Sequence, residues 1–232
     1  MNISKEKNIL KMKNSTIKNL LSLATLALCV AMMTGCGSNY TMAEIETEYG
    51  TMKVKLYNDT PIHKENFIKL ANEGFYDGTL FHRVIKGFMI QGGDPNSKGS
   101  PAGAPLGNGG PGYTLDAEIG RPHIKGALSA ARLSDAQNPQ KKSSGSQFYI
   151  VQGKTVNEAE LLRIGQSKNI TYPEETIKLY TQMGGAPFLD MEYTVFGEVV
   201  EGLDIIDEIA EEPINSANRP TKDVAMKVRI IN

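Results

Sequence analysis

The residues best suited to chemistry lie in one segment, residues 81–94, whose sequence is FHRVIKGFMIQGGD. The segment places Arg83 a few residues before two large apolar side chains, Phe88 and Met89, and the polar Gln91. An arginine is a permanently charged donor with a rigid fork of N–H groups. Taken alone, however, a lone arginine in a strand is usually a surface charge. Phe88 and Met89 are adjacent, so in a strand they point to opposite faces and one of them would ordinarily belong to the core.

The sequence lacks the common motifs of covalent, metal-dependent and phosphate-binding sites. It contains no Gly-x-Ser-x-Gly, His-Glu-x-x-His or P-loop pattern. The glycine-rich run 107–112 is interrupted by proline and is not followed by lysine, so it matches a phosphate-binding loop weakly. His63, His82 and His123 lack the spacing of a metal site, and we interpret each as a structural or surface histidine.

Alternation of apolar and charged residues predicts many short strands. Residues 43–49 and 51–57 alternate around Gly50 and indicate an antiparallel hairpin. The other predicted strands fall within 79–91 and at 126–131, 147–152, 193–200 and 224–231. Residues 92–112 are dominated by Gly, Pro, Asn and Ser, which predicts a long loop between strands.

Two helices are predicted at separate places in the chain. Residues 59–61 (DTP) supply a capping residue and a proline at the first helical position, and Gly74 ends that helix. Residues 203–210 carry an apolar stripe at helical spacing. Many short strands with two helices are typical of a closed β-barrel capped by helices.

Residues 154–186 depart from the strand pattern. They contain two helical patterns, at 158–164 and 174–183, which are separated by Tyr172-Pro173. This region predicts a helical insertion that packs on the barrel as a surface excursion. A substrate-selecting arm is the alternative.

Five sequence blocks together resemble the cyclophilins. The segment 81–94 is followed, in the family's order, by 110–112 (GPG), 125–129 (KGALS), 145–150 (GSQFYI) and 195–199 (VFGEV). The resemblance implies a mainly β fold, a closed antiparallel eight-stranded barrel capped by two helices, with the insertion at about 154–186. It also implies the activity of a peptidyl-prolyl cis/trans isomerase.

The resemblance further implies the site residues. Arg83 falls on the catalytic arginine of the family. The positions that fall on the proline pocket and peptide groove are Phe88, Met89, Gln91, Ala131, Arg132, Gln147, Tyr149, Phe188, Leu189 and Tyr193. The chain departs from the family at Tyr149 (commonly Phe), Phe188 (Trp in many eukaryotic members), Tyr193 (often His) and Arg132-Leu133 (a smaller Asn-Ala pair). These aromatic exchanges keep an apolar pocket and change its rim.

Such residues suffice for the implied reaction because no covalent bond is made. Amide resonance raises a barrier of ~18–20 kcal/mol to rotation, and an X–Pro bond takes tens to hundreds of seconds to isomerise unaided. A guanidinium can donate to the prolyl nitrogen as that atom loses planarity and gains a lone pair. The contact is stronger in the twisted state than in either ground state, which is the condition for acceleration. No cofactor or metal is expected.

The N-terminus predicts export and a lipid anchor. Five lysines within the first eighteen residues precede an apolar run at 20–33, which is too short to span a bilayer comfortably. Residues 33–36 (MTGC) resemble the bacterial lipobox, with Met33 in place of the usual Leu, which implies cleavage before Cys36 and its acylation. The alternative is an ordinary secretory peptide that contains a cysteine. Cys29 lies in the removed segment, so the mature chain has no pair for a disulfide.

The predicted organisation is therefore a lipoprotein signal peptide at 1–35, a lipidated tether at 36–42 and an isomerase domain at 43–232. The net charge of −1 gives no indication of nucleic acid as a partner. We expect a monomer that is lipid-anchored at the outer face of the cytoplasmic membrane and acts on proline-containing, exported polypeptides. The alternative function is a proline-binding chaperone or adaptor with little turnover. A solute-binding lipoprotein is disfavoured because the chain is short and has no two-lobed βαβ pattern.

Overall fold

The computed structural model describes residues 40–231, which form ten strands and four α-helices. The strands are β1 Thr41–Thr47, β2 Gly50–Leu56, β3 Arg83–Ile85, β4 Met89–Gly92, β5 Thr114–Leu115, β6 Ala127–Ala130, β7 Ser143–Ser144, β8 Phe148–Val151, β9 Val195–Glu201 and β10 Lys227–Ile231. The helices are α1 Pro61–Asn72, α2 Glu158–Lys168, α3 Glu174–Gln182 and α4 Leu203–Ala210. The predicted signal peptide, Cys36 and most of the predicted tether lie outside the described residues.

Eight strands form one antiparallel sheet in the order β10-β1-β2-β9-β6-β8-β4-β3, and β5 pairs separately with β7. The sheet is curled and its ladders leave β10 and β3 as the two edges. Leu80 precedes β3 and Ala225 precedes β10, and these two residues form an isolated antiparallel bridge between the two edges of the sheet. The predicted eight strands are therefore present, and the closed barrel is not confirmed, because β3 is only three residues long and forms no ladder with β10.

Alternation along the strands separates two apolar clusters on opposite faces of the sheet. On β8, Phe148 and Ile150 belong to the main core, whereas Tyr149 and Val151 belong to a second cluster. The main core also contains the buried faces of α1 and α4, so these two helices cover the inner face of the sheet. The second cluster, named the outer cluster below, lies on the other face.

The start of α1 is stabilised by a residue far away in the sequence. Pro61 occupies the first helical turn as predicted, but the Thr60 side chain makes no capping hydrogen bond. The Glu118 carboxylate instead accepts the backbone N–H groups of Ile62 and His63, at 3.1 and 3.0 Å. A carboxylate at this position also complements the positive end of the helix dipole.

Helices α2 and α3 lie between β8 and β9, in the region where the sequence predicts a helical insertion. The backbones of Lys154 and Gly185 meet in an antiparallel bridge, so the excursion leaves and rejoins the body at one point. Its interior is a small cluster of Val156, Leu161, Tyr172 and Tyr180. Among residues 40–231, no helix is long and apolar enough to cross a membrane.

Candidate active site

A row of polar and aromatic side chains crosses the outer face of the sheet. Arg83 on β3 is paired with Gln91 on β4, Gln91 with Tyr149 on β8, and Tyr149 with Ser129 on β6. Residues that are directly opposite in an antiparallel sheet point to the same face. The sheet register therefore brings together residues that are up to 66 positions apart in the chain.

A chain of hydrogen bonds holds the Arg83 side chain. Its guanidinium donates to Gln91 Oε1 at 3.0 Å, and Gln91 Nε2 donates to Gln147 Oε1 at 3.1 Å. Gln147 Nε2 in turn donates to the Gly109 carbonyl at 2.7 Å. Within residues 40–231 the guanidinium forms no ion pair, so its charge is not neutralised by a carboxylate. A fixed, unneutralised arginine can interact with charge or a lone pair that develops on a ligand.

The loop that supplies the Gly109 carbonyl is organised by a buried carboxylate. Asp94 is fully buried and accepts the backbone N–H groups of Asn96 at 2.8 Å, Gly107 at 2.5 Å and Gly109 at 3.3 Å. A substitution at Gly109 has no room, since an added Cβ would lie 2.0 Å from Asp94 Oδ1. The glycine-rich run therefore positions a backbone acceptor for Gln147.

The outer cluster unites most of the apolar residues predicted for the pocket. Met89, Tyr149 and Leu189 are buried in it, and other predicted site residues pack against them; these are Phe88, Ala131 and Tyr193. The Tyr149 and Tyr193 rings meet edge to face with centroids 6.0 Å apart. Phe188 stands at the rim, 52% exposed, with its ring 5.2 Å from that of Phe88. The structure places Tyr149 in the outer cluster and the adjacent Phe148 in the main core.

Arg132, unlike Arg83, forms ion pairs within the described part of the chain. Its side chain is nearly buried, and its guanidinium lies 4.4 Å above the Tyr193 ring. It donates to the Glu192 carbonyl at 3.0 Å and pairs with the Asp135 carboxylate. The Arg132 guanidinium is therefore held against Tyr193 by contacts within the protein.

An open cleft of about 870 Å³ adjoins this site. Its lining includes Gln91, Gln147, Ala131, Arg132 and most of the loop 107–114. A cleft of this size can accept several residues of an extended peptide beside the apolar outer cluster.

The structure shows that the three histidines are buried and belong to the body of the protein. His63 Nδ1 contacts the Glu118 carboxylate at 2.6 Å, and His123 Nδ1 contacts Asp190 at 2.9 Å. Burial lowers the pKa of His82 and of His123, so both are neutral at physiological pH. Of the two predicted environments, structural or surface, all three histidines have the buried one. Sequence reasoning missed that the His123 ring stacks on Tyr149, because no local pattern links the two positions.

The fold and the site together define a class of protein, a mainly β protein that offers a peptide-sized cleft, a fixed arginine and an apolar pocket. Residues 42–230 match the family model described as cyclophilin type peptidyl-prolyl cis-trans isomerase/CLD. The chain belongs to this family, and its activity is the cis–trans isomerisation of peptide bonds that precede proline.

Individual relatives agree with this assignment. A protein of Staphylococcus haemolyticus named as a peptidyl-prolyl cis-trans isomerase is 36% identical over 190 residues, which cover 82% of this chain and 90% of the relative. The corresponding protein of Staphylococcus saprophyticus is 36% identical over 185 residues, covering 78% and 87%.

Solved structures give the same family. A crystal structure of a cyclophilin type peptidyl-prolyl cis-trans isomerase from Cryptosporidium parvum has a TM-score of 0.59 and 26% identity, over 83% of this chain and 98% of that one. A second crystal structure of that protein, in the presence of the dipeptide Ala-Pro, has a TM-score of 0.57 and 27% identity, over 82% and 99%.

Proposed function

We propose that Arg83 is the catalytic residue of this isomerase and that the outer cluster holds the proline ring. The observation that carries the proposal is the 3.0 Å hydrogen bond from Arg83 to Gln91, which fixes an unneutralised guanidinium in the row that also contains Tyr149 of the outer cluster. The side chain therefore needs little rearrangement when the peptide bond twists.

The reaction uses this geometry through differential binding. As the X–Pro bond rotates, its nitrogen loses conjugation and gains a lone pair that can accept an N–H of Arg83. The planar ground states offer no such acceptor, so the interaction lowers the barrier rather than only tightening binding. Met89, Tyr149 and Leu189 hold the proline ring while the other side of the bond turns. Gln91, Gln147 and backbone groups near Arg132 hold the flanking peptide.

A proline-binding chaperone with little turnover is the second candidate function. An Ala-Pro peptide in a protease-coupled assay distinguishes the two, because only an isomerase accelerates the slow cis phase. The fixed Arg83 supports the enzyme, since binding of a proline ring alone has no need of a donor aimed at the peptide nitrogen.

We further propose that the enzyme acts as a monomer on exported proteins, anchored by lipid on Cys36 at the outer face of the cytoplasmic membrane. The support is the N-terminal sequence, with its lysines, its short apolar run and the MTGC motif. The part of the predicted tether that precedes β1, residues 36–40, would then link the lipid to the isomerase domain. Several acyl chains on one cysteine anchor a protein stably, whereas one chain does not.

Replacing Cys36 with serine is expected to release the protein from membranes, because serine offers no thiol for acylation. The measurement is the distribution of wild type and Cys36→Ser between the membrane and soluble fractions of cells, with Cys29→Ser as the matched control. Cys29→Ser should remain with the membrane, since that residue lies in the segment predicted to be removed. A Cys36→Ser protein that stays in the membrane fraction would contradict the anchor.

A further inference from the structure

A buried carboxylate behind the outer cluster is satisfied from two directions. Asp190 is 3% exposed. Its Oδ1 accepts the backbone N–H of His123 at 2.8 Å and contacts the His123 ring Nδ1 at 2.9 Å. Its Oδ2 accepts the hydroxyl of Tyr172 at 2.9 Å and the hydroxyl of Tyr180 at 2.6 Å. A buried carboxylate requires such donors, because an unpaired charge away from water is costly.

Asp190 is directly connected to the pocket wall. It follows Leu189 of the outer cluster in the sequence, so a displacement of its carboxylate moves that residue. Its partner His123 stacks on Tyr149, with ring centroids 6.2 Å apart and planes inclined by 9°. The same His123 ring meets Tyr193 edge to face at 6.4 Å. Two side chains of the pocket, Tyr149 and Tyr193, thus lie against His123, and a third pocket residue, Leu189, is the neighbour of Asp190 in the chain.

The other two donors come from the helical insertion. Tyr180 lies on α3 and is fully buried, and Tyr172 precedes that helix, with their rings 5.8 Å apart. A third contact comes from Lys168 at the end of α2, whose amine donates to the Asp190 carbonyl at 3.2 Å. The insertion therefore contacts Asp190, next to the pocket residue Leu189, through three side chains that are not members of the outer cluster.

We propose that the helical insertion positions the wall of the proline pocket, through the hydroxyl groups of Tyr172 and Tyr180 on the carboxylate of Asp190. Tyr172, Tyr180 and Asp190 are positioning residues, since none of them belongs to the outer cluster. Without the two hydroxyls, the Asp190 carboxylate keeps only His123 as its donor and shifts toward it. Leu189 would then move with Asp190, and the His123 ring would be displaced against Tyr149. The proposal deepens the proposed function, since it rests on the pocket assigned there.

The protonation state of His123 is a measurable property that a purely structural role of the insertion would not change. The carboxylate accepts a hydrogen from Nδ1, so the neutral ring carries its proton there. The titratable and charged groups that face His123 are Asp190, Tyr180, Tyr149, Tyr193 and, at longer range, Lys168. Burial lowers the pKa of His123, while Asp190 opposes that shift. Removing two donors from Asp190 leaves more of its charge to stabilise the imidazolium, which raises the pKa of His123.

The test is the double variant Tyr172→Phe/Tyr180→Phe in the full-length protein, assayed with an Ala-Pro peptide across pH. We expect kcat/KM at pH 7.5 to fall about tenfold, since small misplacements of a site are amplified in the rate. We also expect a further fall as the pH decreases from about 7.5 to 5.5, as His123 becomes charged. Wild type should be flat over this range, and NMR of the histidine rings, of which the chain has three, should show the titration directly.

The matched control is Tyr49→Phe, which removes a tyrosine hydroxyl from the Glu212 carboxylate outside the outer cluster. It should keep wild-type kcat/KM and the flat profile. If the double variant does not fold, Lys168→Met removes a separate contact to the same segment and should lower kcat/KM a few-fold. A folded double variant with wild-type kcat/KM and a neutral His123 would overturn the proposal. Arg83→Ala in the same series separates the two ideas, because its full activity would overturn the assigned site instead.

Discussion

Replacing Arg83 with alanine is expected to lower kcat/KM for an Ala-Pro peptide by about 10²–10³-fold, equivalent to about 2.7–4 kcal/mol of transition-state stabilisation. The physical reason is that, in the proposed mechanism, the guanidinium interacts with a lone pair that exists only in the twisted state. The same mechanism assigns ground-state binding of the proline ring to the outer cluster, which the substitution leaves intact. The loss should therefore appear in kcat and kcat/KM together, with little change in KM. The protease-coupled assay at low temperature measures both.

Two further variants make this test specific to the donor geometry. Arg83→Lys keeps the charge but loses the planar fork that bonds Gln91, and we expect it to retain only part of the activity. Arg163→Ala removes an exposed arginine of α2 and should behave as wild type. Equal rates for wild type and Arg83→Ala would exclude the catalytic role, and the proline-binding chaperone would then be the better description.

Replacing Phe148 with alanine is expected to reduce the free energy of unfolding by about 3–5 kcal/mol. Phe148 is 1% exposed and lies at the centre of an aromatic group. Its ring meets those of Phe67 and Tyr76 with centroids 5.7 Å apart, and that of Phe81 at 6.3 Å, all three nearly edge to face. The substitution removes the burial of one ring and leaves a cavity among the other three.

Urea unfolding followed by circular dichroism measures this effect. Phe188→Ala is the matched control, because that ring is half exposed and its loss should change the stability by less than about 0.5 kcal/mol. Similar unfolding midpoints for the two variants would show that Phe148 is not central to the core.

The sequence predicts the elements of this fold well where their periodicity is long enough to read. The hairpin of β1 and β2, helix α4 at 203–210 and the two insertion helices are found close to their expected bounds. β5 and β7 were not predicted, since strands of two residues have no period. The cap of α1 was missed for another reason: Glu118 is more than fifty positions from the helix start, and only the folded chain brings the two together.

The candidate site was predicted through family resemblance rather than through its own pattern. A strand arginine has no distinctive signal, so Arg83 and the pocket residues followed from the order of five sequence blocks. The direction of a side chain within the site is a different matter. Arg132 was assigned to the groove by resemblance, and no pattern in the sequence indicated that its guanidinium stacks on Tyr193, where carboxylate and carbonyl acceptors hold it. The buried Asp190 network could not be foreseen, as two of its four donors come from His123, far away in the sequence, and two from the helical insertion.

The bridge between Lys154 and Gly185 has a consequence for how the chain can fold and vary. β8 and β9, which flank the insertion, do not pair with each other, and both pair with β6. Because the excursion starts and finishes at one point, its interior cluster of Val156, Leu161, Tyr172 and Tyr180 is local in the sequence. Its contacts with the body include those with His123 and Asp190. Doubling the length of a flexible loop costs only about 0.6 kcal/mol in closure entropy. This junction is therefore a position at which a chain of this fold can gain or lose surface while the pairing of the sheet stays the same.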